Sequence, residues 1–238
     1  MTDCQRLIRL RSTVFGLLSM FAGLSCAEAE EFTFYGALTT DYVYRGISYS
    51  DGHGAVQLGL DVSTDSGFFG GIWASTIDIT AEDRQRSLEV DYYIGYVKYF
   101  ENDWNASMSI NRYTFPGAEG GVNYNYNELA AVVGIRDRLW FEFNYTDSLF
   151  GHDEPAHNLE VLASWPLPAS LSLSAGIGYF DVSEIAGNGY SYWQLGLSRL
   201  FRQITLDLRY HDTNNVPARI SRTELADPRL VLTVSATF

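Results

Sequence analysis

Apolar and polar residues alternate one by one along most of the chain. In residues 88–97 (LEVDYYIGYV), apolar side chains alternate with acidic, aromatic or small ones. The same period of two recurs at 104–111, 139–146, 170–179 and 204–211. Side chains of a β-strand point alternately to opposite faces, so each segment predicts a strand with one apolar face. The longest apolar run, Leu129–Ile135, is far shorter than the roughly 20 residues of a transmembrane helix.

About twelve strands are predicted from this pattern. They cover residues 32–45, 54–64, 67–78, 88–100, 104–114, 123–135, 138–147, 158–166, 169–180, 190–199, 202–212 and 229–238. Short turns alternate with longer connections at 46–53, 79–87, 115–122, 148–157, 181–189 and 213–228. This alternation is typical of an up-and-down barrel with tight turns at one rim and loops at the other. We therefore predict an all-β fold, a transmembrane up-and-down antiparallel β-barrel formed as one domain by residues 30–238.

The first 29 residues resemble a signal peptide. Arg6, Arg9 and Arg11 precede a short apolar run at 13–24, and Ala27-Glu28-Ala29 fits a cleavage site. Cleavage after Ala29 predicts export and removes both cysteines of the chain, Cys4 and Cys26. The predicted mature barrel therefore has neither a thiol nor a disulfide.

The predicted barrel has the features of an integral protein of the Gram-negative outer membrane. Lipid offers no hydrogen bonds, so every strand must be paired and the sheet must close. The apolar face would contact outer-membrane lipid and lipopolysaccharide, and Trp104, Trp140 and Trp165 fall near short turns, where an aromatic girdle is expected. Alternating apolar residues from Leu230 to Phe238 resemble the terminal signal that the barrel-assembly machinery reads. A soluble sandwich would not place polar side chains on one whole face of so many strands.

The charge of the chain is strongly acidic, with 16 Lys and Arg against 29 Asp and Glu. Nucleic acid is not an expected partner, because no basic surface can displace phosphate counterions. By strand parity, the charged residues that face the lumen are Asp41, Arg45, Asp61, Glu89, Asp91, Glu128, Glu142, Glu160, Asp207 and Arg209. The excess of acids would attract cations to a constriction in the lumen. An ion-pair network that fills the barrel is an equal alternative.

Asp41 and Arg45 share parity on the first predicted strand, too far apart to pair with each other. We expect them to pair across strands, with Asp61 or with a residue of the closing strand. His152, Asp153, Glu154 and His157 match no metal-site spacing, and no serine–histidine pair is evident on the lipid face. We predict no catalytic residue, metal or cofactor, and no enzyme activity.

The start of the predicted barrel carries a recognisable motif. Residues Thr39–Ser50 (TTDYVYRGISYS) are followed by Gly59-Leu60-Asp61 and by 66–75 (SGFFGGIWAS). These residues resemble the opening signature of the TorF family of proteobacterial porins, although Gly52-His53-Gly54-Ala55 replaces its Asn-Pro-Ala loop. The resemblance covers about forty residues. It implies an outer-membrane location and a porin-like role.

Together these observations predict a narrow, cation-leaning pore for passive diffusion of small solutes. Two alternatives stay open. One is an outer-membrane enzyme that acts on lipid, and the other is a closed barrel with a structural or adhesive role.

Overall fold

The computed structural model describes residues 31–81, 84–117 and 123–238, and the predicted signal peptide lies outside them. Within these ranges, twelve antiparallel strands form a closed barrel, so the predicted fold class is confirmed. A small hairpin, β2 with β3, forms a second sheet. The strands are β1 (Glu31–Thr39), β2 (Val43–Tyr44), β3 (Ile47–Ser48), β4 (Ala55–Ser63), β5 (Phe68–Ala81), β6 (Arg84–Phe100), β7 (Trp104–Thr114), β8 (Tyr126–Ile135), β9 (Leu139–Thr146), β10 (Ala156–Leu167), β11 (Leu171–Asp181), β12 (Tyr190–Phe201), β13 (Ile204–Asn214) and β14 (Arg229–Thr237).

Apolar side chains cover the outside of the barrel and polar side chains lie inside it, the reverse of a soluble protein. On β6, Ile94 is 66% exposed, whereas Asp91 on the opposite face is 1% exposed. Large apolar side chains of the other strands are exposed in the same way, and polar side chains are buried. This reversal is expected of a barrel whose outer face contacts lipid. The only α-helix of the described ranges, α1 (Ser183–Ala186), is a single turn, and none of their helices could span a membrane.

Short turns and long loops occupy opposite rims. Asn102-Asp103, Arg136-Asp137 and Ala169-Ser170 each have two consecutive positive φ angles, the geometry that suits the twist of a tight hairpin. The long connections are at 40–54, 147–155, 182–189 and 215–228, and the connection between β7 and β8 is described at 115–117 and 123–125. They include short 3-10 turns at Leu149–Gly151 and Thr223–Ala226.

Three predicted boundaries are wrong. The loop expected at 79–87 is mostly strand, because the β5–β6 ladder resumes at Ile79↔Arg86 after an irregularity that interrupts the alternation. The strand expected from residue 123 begins at Tyr126. The first strand ends at Thr39 rather than at residue 45. The chain beyond Thr39 turns into the barrel instead.

The barrel closes at a seam between β1 and β14. Five positions pair there, from Tyr35↔Thr237 to Thr39↔Thr233, whereas nine pair between β1 and β4. The hydroxyl groups of Thr39 and Thr233 lie 2.8 Å apart across the seam, inside the barrel.

Candidate functional site

The first long loop, residues 40–54, folds into the lumen, and we call it the inserted hairpin. Its strands pair Val43 with Ser48 and Tyr44 with Ile47. They turn at Arg45 and Gly46, whose φ angles are 48° and 80°. The motif noted in the sequence, Thr39–Ser50, thus spans the end of β1 and most of this hairpin.

Asp41 and Arg45 belong to the inserted hairpin, so the expectation that they lie on the first strand is wrong. The hydroxyl groups of Ser48 and Ser50 donate to Oδ1 of Asp41, at 2.6 and 2.8 Å. These bonds hold the two sides of the hairpin together. A local turn of this kind breaks strand parity, although both charged side chains still end inside the barrel, where they are buried.

Arg45 joins the hairpin to a distant wall of the barrel. Its Nη2 donates to both carboxylate oxygens of Glu128 on β8, at 3.0 and 2.9 Å. Three strands separate β8 from β4 on one side of the barrel, and six separate it from β1 on the other. The rings of Tyr44 and Phe180 lie 4.7 and 4.5 Å from the guanidinium. The hairpin therefore crosses the lumen and is bound on its far side.

The tip of the hairpin fits closely against β12 and β13. A Cβ atom added to Gly46 would overlap Thr213 and would lie 2.8 Å from the Cβ of Tyr192. Glycine also accepts the positive φ of this position without strain. Both the space and the backbone conformation thus require glycine here.

Aromatic rings fill the space around the hairpin. Tyr42 packs edge-on against Tyr49 and Trp73, each at 5.4 Å between ring centroids. Burial, and then the negative charges of Glu89 and Asp91, raise the pKa of Tyr42 well above its ordinary value. Two of the predicted lumen acids therefore lie near Tyr42.

A second ion pair ties the hairpin to the seam. Nη1 of Arg229, the first residue of β14, lies 2.7 Å from Oδ2 of Asp41. A partner of Asp41 on the closing strand was one of the two expected options, although Arg229 was not among the predicted lumen residues. Arg229 shares the parity of the buried Val231 and Thr233. Extending the parity rule to the first residue of the strand would have found it.

A large cavity lies in the lumen between the hairpin and the short-turn rim. Its volume is about 370 Å³, and Ser66, Gly67 and Asp137 line it at the rim. Tyr113 lines it next to the hairpin, with its hydroxyl 3.3 Å from that of Tyr44. Trp140, which we expected in the outer girdle, lines this cavity instead.

A smaller cavity of about 90 Å³ lies beside the seam, where Asp41, Tyr44, Asp207, Arg209 and His211 are among its lining residues. Because Tyr44 lines the small cavity and Tyr113 lines the large one, their contact forms part of the wall between the two. Arg209 donates to both oxygens of Asp207, at 3.1 and 3.0 Å.

The remaining predicted lumen residues are distributed over the wall. Asp61, Glu89 and Asp91 are buried on β4 and β6. Glu142 and Glu160 are direct neighbours across β9 and β10, and Glu160 accepts hydrogen bonds from Tyr192 and Gln194 at 3.0 and 3.1 Å. The structure therefore gives Arg45 and Arg209 acidic partners from the predicted set. It does not bring Asp61 to Arg45.

Comparison with known families decides where the chain belongs. The sequence model of a family described as "Bacterial protein of unknown function (Gcw_chp)" matches residues 25–238. The chain belongs to the Gcw_chp family. The TorF name stays a prediction, and no curated protein sequence matches this Gcw_chp chain.

Solved structures show the same fold for the Gcw_chp barrel. The KdgM porin aligns with a TM-score of 0.52 at 9% identity, over 87% of this chain and 98% of its own. The NanC porin has the same score, identity and share of this chain, with 99% of its own. The COG4313 outer membrane channel from Pseudomonas putida F1 gives 0.51 at 9% identity, over 90% and 96% of the two chains. The Gcw_chp chain therefore has the fold of outer-membrane porins and channels.

Proposed function

We propose that this Gcw_chp protein is an outer-membrane channel through which small solutes diffuse passively, with a preference for cations. The observation that carries the proposal is the acid-lined cavity inside a closed barrel. Asp61 and Glu142 line it from β4 and β9, on well-separated parts of the wall. The low-dielectric wall of the barrel concentrates the electric field of these acids inside the lumen.

The balance of charge inside the barrel supports a cation preference. Arg45, Arg209 and Arg229 each form an ion pair with a buried carboxylate. Asp61, Asp91, Glu142 and Glu160 have no such pair with a basic side chain among the described residues. Paired charges cancel at a distance, so the field of the lumen is set mainly by the remaining acids.

The similar fold of KdgM does not carry its solute over to this chain. One KdgM structure is a complex with disordered oligogalacturonate, a carbohydrate whose sugar units bear carboxylates. An acidic lumen repels such a polyanion. We therefore propose small neutral or cationic solutes here.

The expected surroundings are part of the proposal. The exposed apolar residues would contact outer-membrane lipid and lipopolysaccharide. The last strand, β14, together with Phe238 that follows it, would engage the barrel-assembly machinery. The absence of enzyme activity also stays a prediction. It is supported by the channels that share the fold.

Single-channel recording of refolded residues 30–238 in a planar bilayer tests the proposal. We expect discrete conductance steps, and a reversal potential in a salt gradient that shows cation preference. Asp61→Asn and Asp91→Asn should each move that reversal potential toward zero, because each removes a buried negative charge. Asp147→Asn is the matched control, because Asp147 is exposed and lines neither cavity. A barrel that is folded by circular dichroism yet carries no current would contradict the proposal.

A closed structural barrel is the second candidate, because the hairpin and its aromatic neighbours fill the half of the lumen next to the long loops. Replacing residues 42–50 by a flexible Gly-Ser linker separates the two candidates. If the natural chain is silent and the variant conducts, the closed barrel is supported. If the natural chain already conducts, the closed barrel is wrong.

A further inference from the structure

Asp61 has an unusual position in the large cavity. It lies on β4 and lines the cavity, yet its side chain and backbone together are only 8% exposed. Neither carboxylate oxygen has a hydrogen-bond partner among the described residues. A buried carboxylate without a partner is costly, so either a proton or a positively charged ligand must compensate it.

Gly71 shapes the space next to this carboxylate. A Cβ atom added to Gly71 would lie 2.6 Å from Oδ1 of Asp61 and would overlap the hydroxyl of Tyr93. The missing side chain at position 71 therefore lets the carboxylate and the phenol converge from the two neighbouring strands. Asp61 is paired with Gly71 in the register, and Gly71 is paired with Tyr93.

The other side chains that line the cavity suit a positively charged ligand. Phe69, Tyr93, Tyr99 and Trp140 provide aromatic rings, and further carboxylates come from Glu142 on the wall and from Glu31, Asp65 and Asp137. Among the described lining residues, the single basic one is Lys98. Lys98 is exposed, and its Nζ lies 5.4 Å from the ring of Phe100. Lys98 has the parity of the lipid-facing Tyr92 and Ile94, so it does not neutralise Asp61.

A carboxylate beside aromatic rings is the arrangement that binds organic ammonium groups, since the rings attract a cation through their faces. A bare metal ion fits less well, because no group of three metal-ligating side chains occurs in the described ranges. The volume of about 370 Å³ is in the range of small-molecule pockets.

We propose that the large cavity binds small organic ammonium ions, with the carboxylate of Asp61 as their counter-ion. The site rests on the proposed function, because it names the class of solute that the channel would select. Glu142 lies on a distant strand and contributes a second, weaker attraction.

Calorimetric titration of the folded barrel in detergent with choline tests the site without any need for conduction. The matched ligand is 3,3-dimethylbutan-1-ol, which has the shape of choline but a carbon in place of the charged nitrogen. We expect choline to bind about tenfold or more tightly than the alcohol, which corresponds to one strong charge interaction. Asp61→Asn should weaken choline binding about tenfold, Glu142→Gln should weaken it less, and Asp147→Asn should leave it unchanged.

The outcomes separate the site from the channel. If choline and the alcohol bind equally, or if Asp61→Asn binds choline like the natural chain, the site is wrong even where cation-selective current is recorded. If choline binding depends on Asp61 but no current is found, the site stands and the channel proposal fails. A variant that does not fold is recognised by its circular dichroism spectrum. Glu142→Gln then serves as the second variant, because it removes a charge that lines the cavity at almost unchanged side-chain size, and it should still weaken choline binding.

Discussion

The two halves of the lumen are built in opposite ways. Next to the long loops, the inserted hairpin packs against aromatic rings, and its buried charges, Asp41 and Arg45, are paired with partners on β14 and β8. Next to the short turns, the wall carries amides, hydroxyls and carboxylates around an open cavity, and the buried carboxylate of Asp61 lacks a partner. The first half resembles the core of a soluble protein, and the second half resembles a binding pocket.

This difference indicates how one barrel combines stability with access. A closed barrel needs little internal packing to keep its backbone bonded, because every strand already has two neighbours. Packing in one half therefore frees the other half to hold water, solute or uncompensated charge. Substitutions in the two halves should have unequal effects, and the following comparisons are ordered from the largest expected effect to the smallest.

Arg45→Ala should lower the free energy of unfolding the most, because it leaves Glu128 buried without its ion-pair partner. Losing one member of a buried pair costs about 3–5 kcal/mol of folding free energy. Urea unfolding in lipid vesicles, followed by tryptophan fluorescence, measures the loss. The double variant with Glu128→Gln should regain part of the stability, because no unpaired charge remains. Equal losses in the single and double variants would mean that the pair does not hold the hairpin.

The same substitution, serine to alanine, compares the two halves directly. Ser48 is fully buried and donates to Asp41 at 2.6 Å, so Ser48→Ala should cost about 1.5–3 kcal/mol, the range for a hydrogen bond to a charged group. Ser107 lines the open cavity, and Ser107→Ala should change the unfolding free energy by less than about 0.5 kcal/mol. The same urea titrations provide both values. Similar losses would show that the two halves are equally packed.

A comparison of two glycines of the hairpin distinguishes the cost of crowding from the cost of backbone strain. Gly46 and Gly52 have similar φ angles of 80° and 72°, but a Cβ atom at Gly52 would meet nothing within 4 Å. Gly46→Ala should therefore be less stable than Gly52→Ala by about 1–3 kcal/mol, the cost of overpacking. Unfolding midpoints of the two variants give the difference. Matching midpoints would mean that the hairpin tip has room to move away from Tyr192 and Thr213.

Much of the barrel is predictable from sequence because lipid imposes a simple rule on it. On β6, period-two alternation alone is enough to predict that Ile94 is exposed and that Asp91 is buried. Each tight turn interrupts the alternation and so marks the end of a strand. The rule fails where the chain leaves the ladder. The register of the β5–β6 pairing shifts between Thr76 and Ile79. Apolar and polar positions beyond the shift are therefore out of phase with those before it, and the pattern does not predict that β5 extends to Ala81.

The candidate site was less predictable for a related reason. Alternation placed Asp61, Asp91 and Asp207 inside the barrel, and they are buried there. It could not show that Asp41 and Arg45 reach the lumen by a hairpin, because that path depends on contacts with Ser48 and with a strand more than 80 residues away. The rings that line the cavity, such as Tyr93, carry no charge, and nothing in the sequence distinguishes them from interfacial tyrosines.

The ion pair between Asp41 and Arg229 has a consequence for the order of assembly. Asp41 lies two residues after the end of β1, and Arg229 begins β14, so we expect the pair to form when these two strands meet at the seam. A sheet in which β1 and β14 are not yet paired lacks part of the surface that the hairpin packs against. Closure of the barrel and filling of the half of the lumen next to the long loops should therefore happen together. An incompletely closed intermediate should then leak more ions than the finished protein.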